Sequence, residues 1–253
     1  MCQNCRLALS SVAPSAPRTL SRRAMLGLVA ASSATLALGN VAFAKEASPA
    51  KSPPKPQNVL TPDASLARLM AGNSRYVSGV SKRHDFAHER EALAGGQNPF
   101  AAVLGCADSR IAPEYAFDTA RGDLFVCRVA GNFANDESIA SLEYAVAVLN
   151  TPLILVLGHD ACGALDATIK SVKDGTTLPG HLPSLVAALS GAVQASAQQQ
   201  GNPLDNAIKQ NVLDTVAKLK AATPILSAAV GENKLKVVGG IYRLRDGRVD
   251  MVG

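Results

Sequence analysis

The chain predicts an α/β fold: a single domain with a mainly parallel β-sheet flanked by helices, preceded by an N-terminal helical arm. Three observations predict it. Short, mainly apolar runs occupy residues 100–104, 123–129 and 152–157, and runs of that length and character read as parallel strands buried on both faces. Residues 135–149 lie between two of them and carry Ile139, Leu142, Val146 and Leu149 at helical spacing. Each run ends at a glycine-bearing turn, at Gly105, Gly131 and Gly158, and strands alternating with helices define the α/β class.

Residues 1–44 have the features of a cleaved twin-arginine-type signal peptide. Ser21-Arg22-Arg23-Ala24-Met25-Leu26 matches the twin-arginine pattern, an Ala-rich apolar stretch follows over 25–38, and Ala42-Phe43-Ala44 places cleavage after Ala44. The stretch is shorter than the ~20 residues a spanning helix needs. The expectation is export, to the periplasm ahead of a thylakoid lumen or the extracellular space, with no stable membrane association after cleavage. Residues 45–60 form a Pro/Lys-rich linker, and residues 61–253 form the domain, arm included.

Thr61 and Pro62 suit the cap and first position of a helix that carries Leu66, Leu69 and Met70. A second, polar helix runs over 85–93 and stops at Gly95-Gly96. After the strands named above, helices are expected at 183–199 and 204–221. Residues 235–244 close the chain as a strand, with a turn signal at Asp246-Gly247.

Composition bounds the function. With 47% hydrophobic and 18% charged residues the chain can bury a sizeable core. The net charge of +5 is largely the leader's: residues 1–44 hold four arginines and no acid, which leaves +1 on the remainder. A nearly neutral mature chain offers nothing for nucleic acid. Once Cys2 and Cys5 leave with the leader, three cysteines remain, Cys106, Cys127 and Cys162. An odd number argues against a disulfide framework.

The chemistry lies in two segments, Cys106-Ala107-Asp108-Ser109-Arg110 and Gly158-His159-Asp160-Ala161-Cys162-Gly163. Two thiolates and an imidazole make a zinc set, and three protein ligands leave the fourth position for chemistry. Cys106 and His159 each follow a predicted strand, at the sheet edge where α/β proteins bind ligands. Cys162 would open the next helix, whose N-terminus favours a thiolate. Asp108 and Arg110 supply a carboxylate and a guanidinium beside the first ligand. Cys127 reads as core, His84 and His88 as surface residues of the arm, and His181 as a loop residue. Asp160 is either a support for His159 or solvent-exposed.

These segments resemble the β-class carbonic anhydrases, over essentially residue 61 to the C-terminus. The family's zinc ligands fall on Cys106, His159 and Cys162, its carboxylate–arginine dyad on Asp108 and Arg110, and its glutamine nine residues before the first Cys on Gln97. Arg128-Val129-Ala130-Gly131-Asn132 matches a further family segment. The resemblance implies one Zn²⁺ per subunit and reversible hydration of CO₂ to bicarbonate and a proton by a zinc-bound hydroxide. It also implies a homodimer or homotetramer in which Gln97 points into the partner's site. Gln97 and backbone N–H groups, Gly163 among them, would receive bicarbonate. Asp108 is in addition a potential fourth ligand in a closed state. Two thiolates cancel the metal's charge, so the bound water should be less acidic than the ~7 of a tris-histidine site, with activity rising with pH. Of a regulatory bicarbonate pocket built from Trp, Arg and Tyr, the chain has Arg128 and Tyr242 but Val103 at the Trp position; an equal reading of Arg128 is a pair with a nearby acid. Two alternatives keep the fold: hydrolysis of CS₂ or COS, or noncatalytic zinc or bicarbonate binding. A metal-free cysteine hydrolase pairing Cys106 with His159 is a third.

Overall fold

A computed structural model describes residues 59–253. The expected signal peptide and all but the last two residues of the expected linker lie outside the described residues.

The arm comes first. Helix α1 (Pro62–Val77) starts as the sequence predicts, with Thr61 Oγ1 accepting the Ala64 N–H at 3.3 Å. Helix α2 (Phe86–Leu93) is capped by Asp85, whose side chain accepts from the Ala87 and His88 amides. The domain continues with β1 (Ala101–Gly105), a short α3 (Pro113–Ala116), β2 (Leu124–Arg128), α4 (Asp136–Ala147), β3 (Leu153–His159) and α5 (Gly163–Asp174). Helices α6 (Pro183–Ser196), α7 (Pro203–Ala221) and α8 (Ile225–Gly231) follow, then β4 (Lys236–Tyr242) and β5 (Val249–Val252).

The five strands form one sheet in the order β2-β1-β3-β4-β5. The first four are parallel, and β5 pairs antiparallel with β4. The strand expected to close the chain therefore turns back: Asp246-Gly247 is the bend of a hairpin, and Arg248 N–H bonds Asp246 Oδ1 at 3.0 Å. Residues 249–252 are too few to show alternation, so β5 was not legible. Helices α3 and α8 were missed for the same reason of length.

Alternation along β1 and β3 sorts their side chains onto two faces. Ala102, Leu104, Ile154 and Val156 join Leu142, Leu165, Leu189 and Val212 beneath α4 to α8. Ala101, Val103, Leu153, Leu155 and Leu157 join Leu69, Phe100 and Phe117 beneath α1 and α3. Both faces are covered, which is why β1 and β3 are buried at every position. Cys127, read as core, packs against the cluster beneath α4 to α8 from its rim. It lies on β2, an edge strand, and is half-buried, with its thiol raised by burial.

The arm is tied to the domain by a charge pair. The Asp118 carboxylate, almost wholly buried, takes the Arg75 guanidinium and the Lys82 N–H, the latter at 2.9 Å. Burial alone would raise its pKa, but Arg75 and the Lys82 amide outweigh it and hold it below the ordinary value. A depressed pKa contributes stability above the unfolded value of ~3.9 that is lost as pH falls through the folded one. Asp118→Asn should cost about 3 kcal/mol at neutral pH. In urea denaturation followed from neutral to acid pH, the gap from the parent protein should begin to narrow below pH ~4 and close as the pH falls through the lower folded pKa.

Candidate metal centre

After β2 at one edge, the chain returns across β1 to lay down β3 on its other side. The crevice at the C-terminal ends of β1 and β3 is thus a topological switch point, where open α/β sheets bind ligands. Cys106 follows the last residue of β1 and His159 is the last residue of β3. In the register, Gly105 faces Leu157, so both ligands leave the sheet at nearly one level. Gly158 is required just before His159, because a Cβ there would meet Val212 Cγ2 of α7 at 2.6 Å.

The third member arrives by a tight turn. Ala161 has φ +52, a left-handed conformation costing a non-glycine residue roughly 1–2 kcal/mol. It reverses the chain within three residues and delivers Cys162 as the N-cap of α5. The ligand atoms of Cys106, His159 and Cys162 lie within 4.8 Å of one another, all three residues buried. The separate segments of the sequence do converge.

The electrostatics suit a cation. His159 Nδ1 lies 2.8 Å from the Asp160 carbonyl oxygen, which only accepts, so Nδ1 carries the proton and Nε2 the lone pair. Nε2 is buried and has no hydrogen-bond partner among the described residues. A buried lone pair facing two sulfurs, without a donor, fits a metal, and two sulfurs with one imidazole suit zinc. The three groups compete for protons. The neighbouring Cys162 thiol chiefly lowers the Cys106 pKa, with help from His159 and the Gly131 N–H, against burial. Cys162 is raised in return, by Cys106 and then by burial, with the first-turn amides of Leu165 and Ala164 opposing. Burial pulls the His159 pKa down, but the neighbouring Cys106 sulfur outweighs it and raises it.

Beside the cluster, Asp108 and Arg110 form a bidentate pair. Arg110 Nη2 donates to Asp108 Oδ2 at 2.7 Å and Nε to Oδ1 at 2.9 Å, and the Arg110 amide bonds Oδ1 at 2.9 Å. The guanidinium also reaches the Ala161 carbonyl at 3.3 Å, linking the dyad to the turn between the other two ligands. These bonds hold the Asp108 carboxyl well below the usual range, against a smaller effect of burial. Asp108 Oδ2 lies 3.9 Å from His159 Nε2. Gly163, the first residue of α5, is exposed with open space at its α-carbon. Gln97 is exposed on the connection between α2 and β1, and no hydrogen bond among the described residues ties it to the cluster.

Two supports were not legible. Gly131 N–H donates to Cys106 Sγ at 3.3 Å; the segment 128–132 was noticed, but its aim at the sulfur is set by folding. Among the described residues Arg128 pairs with no acid. Its guanidinium donates to the carbonyls of Cys106 (2.8 Å), Asp108 (2.7 Å) and Ile111 (2.8 Å), bracing the loop that carries the first ligand. Arg128→Met should lower stability by about 2 kcal/mol in a denaturation experiment. Tyr242 meets the Tyr76 hydroxyl at 3.1 Å, and Val103 is fully buried in β1. Asp160 supports His159 through its backbone carbonyl, while its carboxylate accepts the Leu244 N–H at 2.9 Å. His84 pairs with Glu89 and His88 with Asp85, His88 being well exposed, so the arm histidines do not converge.

Comparison with known proteins agrees with this geometry. The carbonic anhydrase family model matches residues 101–249. Carbonic anhydrase 2 of Mycobacterium tuberculosis is 39% identical over 74% of this chain and 91% of its own length. The Mycolicibacterium smegmatis carbonic anhydrase is 37% identical, covering 75% and 93%. Among solved structures, a tetrameric β-carbonic anhydrase of Sordaria macrospora superposes with a TM-score of 0.60 at 25% identity, over 75% of this chain and 98% of that one. With its sheet edge, its Cys/His/Cys cluster and these relatives in agreement, the chain belongs to the β-class carbonic anhydrase family and is an enzyme of that kind.

Proposed function

We propose that the mature chain is an exported zinc enzyme that interconverts CO₂ and bicarbonate as a homo-oligomer. The observation that carries this reading is the buried Cys106–His159–Cys162 cluster, with the unpartnered His159 Nε2 aimed at two sulfurs. Those three atoms would hold the metal. Zinc, when bound, supplies a Lewis acid that makes water a nucleophile near neutral pH.

The rest is the work of the chain. Arg110 keeps Asp108 ionised and fixed. Asp108 Oδ2, beside the metal-facing edge of His159, would accept the hydrogen bond of the attacking water and so orient its lone pair toward CO₂. The same clamp competes with Asp108 as a ligand, which favours a site with its fourth position open. The exposed Gly163 amide at the start of α5 is a donor for a bicarbonate oxygen.

Assembly completes the site in this reading. Val80, Phe86 and Tyr115 are large apolar residues more than half exposed around a cavity of about 860 Å³. That surface is suited to a second copy of the chain, which would bring Gln97 to the neighbouring cluster. Gln97→Ala should reduce kcat/KM about 10-fold, with zinc content and oligomer size unchanged. Export rests on the leader motif at residues 21–26.

Stopped-flow CO₂ hydration by the mature protein, with elemental analysis of the same sample, tests the proposal. One zinc per chain is expected, with turnover that rises between about pH 6.5 and 9. Zinc without turnover would favour a binding protein. Faster turnover of COS or CS₂ in a parallel assay would change the substrate but keep the site.

A further inference from the structure

Helix α7 carries a polar residue where its packing face calls for an apolar one. Along the buried stripe of Ile208, Val212, Val216 and Leu219 stands Asn211, only 3% exposed. A primary amide in such surroundings is costly unless bonded. Its Nδ2 donates to the Gly131 carbonyl at 2.8 Å, across 80 residues of chain. Gly131 is the residue whose N–H meets Cys106 Sγ. One residue is therefore held at both ends, its amide on the sulfur and its carbonyl on α7. Lys218, two turns further along the helix, donates to the Ala134 carbonyl at 2.7 Å, a second tie to the same loop. Gly131 itself has φ +86, and a Cβ there would lie 2.7 Å from Leu189 Cδ1, so only glycine suits this place.

We propose that Asn211 is a positioning residue for the metal centre, holding Gly131 so that its N–H points at Cys106 Sγ. A hydrogen bond to a ligating thiolate draws charge from the sulfur and fixes its direction. That opposes part of the charge neutralisation two thiolates impose on the metal. The inference rests on Cys106 being a zinc ligand, and it assigns a helix outside the site a part in tuning it.

The test compares the parent protein, Asn211→Leu and Val216→Ala, each as the full mature chain loaded with zinc or cobalt. Val216→Ala trims the same buried stripe one turn away and leaves the Asn211 bond in place. The readouts are the sulfur-to-cobalt charge-transfer band and the rate of zinc loss to a chelator. For Asn211→Leu the band should move to longer wavelength and zinc should leave about 10-fold faster. Val216→Ala should match the parent in both, although it melts lower. Asn211→Asp, which keeps the shape and removes the N–H donor, reads the same effect if the leucine variant does not fold. An unchanged band and rate in a fully loaded Asn211 variant would overturn the proposal, as would equal changes in Val216→Ala. A parent protein that takes up neither metal would overturn the zinc assignment first, and the proposal with it.

Discussion

His159→Ala, Cys106→Ser and Cys162→Ser should each yield a protein without zinc whose CO₂ hydration has fallen by on the order of 10³-fold or more. The magnitude follows from the chemistry the metal supplies, because bound water, even if less acidic than the ~7 of a tris-histidine site, reverts toward 15.7 when it leaves the ion. Geometry makes the three variants equivalent. The ligand atoms lie within 4.8 Å of one another, so removing any one opens the set to two donors. His159→Ala carries a second cost. The ring is wholly buried, so the variant leaves a cavity and an unpaired Asp160 carbonyl, and should also melt lower by several degrees. Atomic absorption on the purified variants separates loss of metal from loss of fold. A serine variant at Cys106 that keeps stoichiometric zinc and full activity would remove that sulfur from the ligand set.

Asp108→Asn should behave in the opposite way, keeping its zinc and losing turnover by about 10²- to 10³-fold. The side chain keeps its shape but trades an acceptor-only group for one that also donates. The bidentate pair with Arg110 at 2.7 and 2.9 Å depends on the carboxylate, and so does acceptance of a hydrogen bond from the attacking water. Neither depends on the sulfurs, and zinc content should not change. The effect should fall on kcat, since positioning a nucleophile acts on the transition state. Steady-state CO₂ hydration with parallel metal analysis checks this; full activity in Asp108→Asn would end the role assigned to the dyad.

Legibility followed the physics of each element. Strands β1 and β3 were readable because a parallel strand covered on both faces must be apolar throughout. Helix α1 was readable from its cap at Thr61 and its apolar spacing, α4 from the apolar spacing of residues 135–149, and α2 as a polar stretch stopping at Gly95-Gly96; the caps at Asp85 and Asn135 are seen only in the structure. Strand β5 has four residues and α3 has four, too few for any period to show. That β2 is an edge strand, with Cys127 at the rim of the core, was not legible, because an apolar run looks alike on a central or an edge strand and only strand order distinguishes them.

By itself the sequence determined the donor set. Residue type decides ligand chemistry, and two cysteines, one histidine and an Asp–Arg pair at strand ends define a family and a reaction class. Tertiary structure decided how those donors are held. Arg128 turned out to brace carbonyls, His159 to be set by a backbone oxygen, and Gly131, fixed from α7, to address a sulfur 25 residues away. Those bonds run to backbone groups, which every residue carries alike, so no side-chain pattern announces them before the chain has folded.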